Sequence, residues 1–384
     1  MDSRQATSSF GRRVAKERVQ RGWPLRKLAR LSDLSYSRIH RIETDPDREI
    51  TIEDAMRLAD AFGIPIAWLV QGSQVRDRVL AAARTQDTGR ADEAIDQVLP
   101  VLELAAQLDD LDNATGKGPG VQVRPRDDED PREWGRRVAD EVRHGWNLPT
   151  GPLLNLARVI EEHTHVMVAV APLPEGVDGL ALTDPETQNT LLAVRETDNW
   201  ERQRFTVAHE LGHLFAGDRI IEAVGPDKGS SPNETAASEF ARNLLVPLDD
   251  LHAISADREQ PWDGLAVAET AWRYQVSPAV LAIQLSRAGL APDSLVERVS
   301  QVSTDTWSNL GGWGPERQSL SAASATRRVP PTLVTRALRA WQQSLIPAAT
   351  IARLLDQDPE VVRQQLSELD IAQDKDTTAT VRAS

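Results

Sequence analysis

The string RFTVAHELGHLFAG, residues 204–217, limits this chain more than any other part of it, because it contains His-Glu-x-x-His at 209–213. Helix residues four apart share a face, so His209 and His213 can direct both imidazoles at one ion. Glu210 then lies beside them, placed to meet a water on the metal rather than the metal itself. Zinc lowers the pKa of such a water towards about 7, and Glu210 would accept its proton and pass it to a leaving amine. Leu211, Leu214 and Phe215 give the helix an apolar side to bury, and Gly217 offers a stop. The plain alternative is a surface helix with two incidental histidines, but seven histidines in 384 residues rarely produce this spacing around a glutamate by chance.

A catalytic zinc site needs a third protein ligand and an open position. The chain has no cysteine, so thiolate sites and disulfides are excluded. The third donor must therefore be His, Asp or Glu. ETAASEFARNLLVP, residues 234–247, reads as a helix ended by Pro247, and Glu234 at its start is the leading candidate. The small Ala237 one turn later would let this helix come close to the first. Glu239 is the competing carboxylate, with a solvated helix face as its other reading. His252, His163 and His165 are weaker candidates. Arg204 is a candidate for the group that stabilises the oxyanion, with a structural ion pair as its alternative.

The chain is 40% hydrophobic and 27% charged, ordinary for a globular protein of two or three domains. The first residues lack an apolar leader, and no apolar run is long enough to span a bilayer. The expectation is a cytoplasmic protein without a membrane partner. Net charge is −14, yet Met1–Asp45 holds eleven Lys/Arg against five Asp/Glu. That is a small basic module on an acidic body. Arginine outnumbers lysine 39 to 5, a bacterial, GC-rich bias that says nothing of function.

The fold class expected is multidomain α and α+β. Residues 1–72 read as an all-α helix-turn-helix domain, with Ser9, Ser35 and Thr51 as N-caps, Pro24 and Pro65 in first turns and Gly22 and Gly63 as stops. Residues 73–130 read as a helical connector, interrupted at Thr88-Gly89-Arg90 and Pro100, then a flexible linker from Asn113 to Asp130. Residues 131–295 read as a central α+β domain, with strands near HVMVAVAPL, LALTD and TLLAVRE. Residues 296–384 read as a linker or long loop to 329, then three short helices. No internal repeat is evident.

Two resemblances sharpen this. Residues 131–250 resemble the ImmA/IrrE metallopeptidase family, through Arg-x-Arg-Phe-Thr-x-Ala-His-Glu-Leu-Gly-His at 202–213, Glu-x-x-Ala-x-x-Phe-Ala-x-x-Leu-Leu-x-Pro at 234–247, and Asp178-Gly179-Leu180. The resemblance implies a zincin-like domain in which His209, His213 and Glu234 hold zinc, or manganese as the alternative ion, and Glu210 is the catalytic base. Ser238 departs from the family, where Asn is common. Residues 8–70 resemble the Xre/Cro-like helix-turn-helix, through Leu28-Ala29 and Leu34-Ser35-x-Ser-x-Ile-x-x-Ile-Glu43. The resemblance places Ser35, Tyr36, Ser37, Arg38 and Arg41 at DNA, with Ile39 and Ile42 in the core. Arg26 and Lys27 become phosphate contacts. Leu25 stands where Gln is usual, Asp33 where Gly is usual in the turn, and Thr44 where Gly follows the Glu. A helical docking module that no longer reads DNA is the competing reading. The C-terminal helices also resemble a helix-turn-helix, with a packing or dimer role expected from their mixed charge.

Together these imply a DNA-binding transcription regulator with a zinc-dependent endopeptidase domain. Its partners would be double-stranded DNA, a protein substrate such as a repressor or the chain itself, and a second copy in a homodimer. Stress or mobile-element control is the usual setting of the family. The alternative is a non-catalytic regulator whose peptidase-like domain senses metal or ligand, or docks a partner.

Overall fold

The computed structural model describes residues 3–45, 49–83, 88–112, 123, 129–217 and 231–368. The chain divides into two compact units, Met1–Ala81 with Leu99–Thr115 and Val329–Ser384, and Ala82–Val98 with Gly116–Arg328.

The first unit begins with α1 (Ser3–Gln20), α2 (Leu25–Ser32), α3 (Tyr36–Thr44), α4 (Ile52–Phe62) and α5 (Ile66–Gln71). Leu28, Ile39, Ile42, Leu58, Phe62 and Leu69 form its core with Val14. Their spacing sets which face of each helix turns inward. Ser35 accepts from the Arg38 N–H, and Thr51 and Asp54 form a reciprocal capping box. Ser9 is not a cap, because α1 starts at Ser3 and runs through it. Asp33 closes α2 in the left-handed region at φ 53. Aspartate tolerates that conformation better than most side chains, so the missing glycine leaves the turn intact. Arg18 pairs with Glu43 through two hydrogen bonds of 2.7 Å, tying α1 to α3.

α6 (Gln74–Ala83) and α7 (Thr88–Asp112) follow. Pro100, expected to interrupt the second of these, lies inside it. Its missing hydrogen bond and ring clash cost about 3 kcal/mol. Burial of Val98, Leu99, Val101 and Leu102 around it, at roughly 1.5–3 kcal/mol each, outweighs that.

The second unit contains α8 (Pro131–Gly145), α9 (Leu156–Thr164), β1 (Met167–Ala171), β2 (Gly179–Thr183), β3 (Thr190–Arg195), α10 (Trp200–Ala216), α11 (Pro232–Leu245), α12 (Leu248–Ala256), α13 (Gly264–Tyr274) and α14 (Pro278–Arg287). The sheet order is β1-β3-β2, with β3 parallel to β1 and antiparallel to β2. All three strands fall where the apolar runs placed them. The core joins Trp134, Ile160, Val168, Leu192, Leu211, Phe215, Phe240 and Leu244.

Residues 296–329 correct the sequence reading. In place of a linker or loop most of them lie within α15 (Asp293–Ser300), α16 (Thr304–Gly311) and α17 (Gly314–Ser324). These helices are short and anchored by polar groups, which hydrophobic periodicity does not register. Ser303 caps α16. Arg317 pairs with buried Glu201 at 3.0 Å. Arg328 hydrogen-bonds Glu161 at 2.7 Å and bridges to Val170 of β1.

α18 (Pro331–Gln342), α19 (Ala348–Leu355) and α20 (Pro359–Glu368) belong to the first unit. Arg336 pairs with Asp109 and Asp112 at 2.8 Å. Gly63 closes α4 at φ 67, and a methyl group there would land on the backbone of Ala349 and Thr350. Gly63→Ala should therefore combine the left-handed penalty, about 1–2 kcal/mol, with overpacking of about 1–3 kcal/mol. Urea unfolding of the full chain should report a loss of about 2–5 kcal/mol; a loss below about 0.5 kcal/mol would show that the contact is dispensable.

Candidate metal centre and nucleic-acid interface

α10 and α11 lie side by side because Gly212 of α10 leaves room for Ala237 and Phe240 of α11 at the crossing. A Cβ built on Gly212 would stand 3.0 Å from Phe240 Cδ1 and 3.1 Å from Ala237 Cα. The small Ala237 thus meets a glycine, not merely a neighbouring helix. On the far side of α11, Gly135 of α8 makes a similar approach to the Ala236 carbonyl and to Glu239.

This crossing brings His209, His213 and Glu234 together. The His209 and His213 Nε2 atoms are 3.0 Å apart, and each lies 3.2 Å from an oxygen of Glu234. The three ligand atoms fall within 4.8 Å of one another. Donors about 2.0–2.1 Å from a tetrahedral ion are spaced roughly 3.3–3.4 Å apart, so the triangle is close to the size such an ion requires. An acceptor-rich cluster of two imidazoles and a carboxylate also matches the chemistry of a divalent cation. Ser238 Oγ lies 3.3 Å from His209 Nδ1. A proton on Nδ1 directed at Ser238 leaves the Nε2 lone pair facing Glu234. Burial holds His209 below its ordinary pKa, with Glu234 opposing, which favours the neutral imidazole that binds metals.

Glu210 is only 3% exposed, and its Oε1 has no hydrogen-bond partner. Burial pushes its carboxyl up to about 7, with Glu234 adding and His213 opposing. A carboxylate in that range can take and return a proton near neutral pH. Gly179, at the start of β2, lies over it: a Cβ there would be 3.1 Å from Glu210 Cγ and 2.7 Å from Thr206 Cγ2. Asp178 beside it accepts from Arg195 at 2.6 Å and from Arg202.

The competing candidates lie elsewhere. Glu239 is buried and committed to Arg242, Asn243 and Arg287. Arg204 donates to the Leu153 carbonyl, and burial pushes its pKa down to about 10. His163 stacks on Trp146 at 5.1 Å, His165 caps α9 in the left-handed region, and His252 is exposed. Sequence reasoning missed Ser238, Gly212 and Gly179 as supports of the site. Two are glycines, whose role is the space they leave.

On the first unit, Ser35, Tyr36, Ser37 and Arg41 are exposed along the start of α3, as is Arg26 on α2. Ile39 and Ile42 are buried. Arg38 is not available in the same way: it is tied to Asp54 and donates to the Glu49 carbonyl. Lys27 pairs with Asp358 at 2.5 Å. Leu25, in the usual place of Gln, packs against the domain core.

Gly212→Val should part α10 from α11 and weaken zinc binding by at least about tenfold, the scale of lost support around a metal ligand. Competition against a fluorescent chelator measures this; wild-type affinity in the variant would show that the crossing does not set the site.

Residues 161–286 match the family model described as IrrE N-terminal-like domain, of the Peptidase_M78 family, and residues 14–69 match the one described as helix-turn-helix. No curated protein matches the chain. The chain therefore joins a helix-turn-helix domain of the Xre/Cro-like type to an IrrE N-terminal-like, peptidase-family domain.

Proposed function

We propose that the chain is a cytoplasmic, DNA-binding transcription regulator whose central domain is a zinc-dependent endopeptidase acting on a regulatory protein. The observation that carries this reading is the convergence of His209, His213 and Glu234 beside a buried Glu210 with an unpartnered oxygen. His209, His213 and Glu234 would hold the ion, zinc or manganese. Bound zinc supplies Lewis acidity, which polarises a carbonyl and lets water ionise near neutral pH. Glu210 takes the proton of the attacking water and delivers it to the leaving amine nitrogen. Ser238 orients His209, and Gly179 leaves room over Glu210 for that carboxylate to move.

The substrate class follows from the fusion: a repressor, or a second copy of this chain. The segment from Asn113 to Asp130, read as an exposed linker, would be a site of self-cleavage; most of it lies outside the described residues. On DNA, the exposed start of α3 would enter the major groove. A homodimer would present two such helices to half-sites one helical turn apart. Among the described residues no helix is long and apolar enough to cross a membrane, consistent with a partner in solution.

Elemental mass spectrometry of purified protein should find about one zinc per chain in wild type and in Glu210→Gln, and none in His213→Ala or Glu234→Ala. Wild type incubated with zinc and DNA should release a fragment of itself or cut a co-expressed repressor, whereas Glu210→Gln should do neither. A wild type that cannot be loaded with metal would overturn the peptidase reading. Regulation that survives Glu210→Gln unchanged would favour the non-catalytic sensor.

A further inference from the structure

We propose that Asp358 and Glu360, at the start of α20, act as an intramolecular substitute for DNA phosphate on α2, so that the C-terminal helices hold down the DNA affinity of the helix-turn-helix. This rests on the DNA-binding reading of that domain.

Lys27 Nζ donates to Asp358 Oδ2 at 2.5 Å, and Arg30 Nη2 donates to Glu360 Oε2 at 2.8 Å. Both cations lie on α2, the helix that crosses the DNA backbone in this motif while α3 enters the groove. Carboxylate and phosphate satisfy lysine and arginine by the same charge-assisted hydrogen bonds. Lys27 is further held over the Trp23 ring at 5.0 Å, which fixes its direction. Asp358 spends its other oxygen on the Glu360 N–H, 2.8 Å away, so the acid is anchored to the helix it begins. The Lys27 hydrogen bond holds its carboxyl below the ordinary range.

The acid pair is delivered by a packed element, not by a loose tail. The backbone at Ala349 and Thr350 fits against Gly63, and Arg353 of α19 pairs with Glu103 and lies over the Trp68 ring at 5.7 Å. Asp356 closes α19 at φ 53, ψ 44, as Asp33 closes α2 at φ 53, ψ 35. In each case a short turn leads into the next helix. In the N-terminal pair, the start of the second helix is exposed and available to DNA. In the C-terminal pair, that same end faces α2, which gives a helix-turn-helix shape without a free reading end.

The test uses the full chain, fluorescence anisotropy and a labelled duplex of random sequence over a range of salt. Asp358→Asn with Glu360→Gln should bind roughly tenfold tighter at low salt, and its salt slope should steepen by up to about 1.8, the value for two added phosphate contacts. Adding Lys27→Gln and Arg30→Gln to that variant should cancel the gain. Equal affinity and slope in wild type and the acid-neutral variant would overturn the proposal. So would a gain that survives loss of Lys27 and Arg30, since it would come from another surface. Wild-type binding without a gain defeats this inference alone; no binding by either chain defeats the DNA reading with it.

Discussion

Two helices can bring ligands to one ion only if their axes come close, and here that depends on the absence of side chains where α10 crosses α11. Gly212 faces Ala237 across this contact, and Phe240 fills the space beside it. Close packing makes such an arrangement rigid. Phe240 is in turn held between Phe215 at 5.6 Å and Trp134 at 6.5 Å. Glu239, five residues on from Glu234, is buried and pairs with the partly exposed Arg242 and Arg287. Removing those partners would strand its buried charge. The same helix therefore carries one glutamate for the candidate metal and one for its own support, and packing alone separates the two roles.

The electrostatics of the site follow from its burial. Glu210 has little water around it, so its proton affinity rises without a dedicated partner. His209 is shifted the other way by the same cause. An ion with two positive charges would be bound by neutral imidazoles and an ionised Glu234, and its charge would oppose the upward shift that burial gives Glu210. A side chain at Gly179 would crowd the Glu210 carboxylate and Thr206.

In the first unit the arginines and lysines that the sequence assigns to DNA do not form one uniform surface. Arg26 and Arg41 are exposed, Arg38 braces α3 against the start of α4, and Lys27 meets an acid from α20. A basic excess read from a stretch of sequence counts charges without their intramolecular partners. This unit supplies those partners from Asp54, Asp358 and Glu360, which lie close to α2 and α3 in space but, for the last two, more than three hundred residues away in the chain.

The sequence by itself determined the local features. The 3.6-residue period placed most of the helices and short apolar runs placed the three strands, Ser35 and Thr51 capped their helices as their side-chain chemistry dictates, and His-Glu-x-x-His put two imidazoles on one face. It also named Glu234 ahead of Glu239, although spacing alone left the two open. Tertiary structure decided what depends on distant neighbours. It kept Pro100 within a helix through the burial around it, and it anchored the mostly helical segment 296–329 through ion pairs of Arg317 to Glu201 and Arg328 to Glu161. It turned Glu239 to Arg287 and Lys27 to Asp358. Local conformation is set by a residue and its near neighbours, and periodicity records that. Burial, pairing and the space left by a missing side chain are properties of two segments at once, and a single linear pattern carries no record of the second.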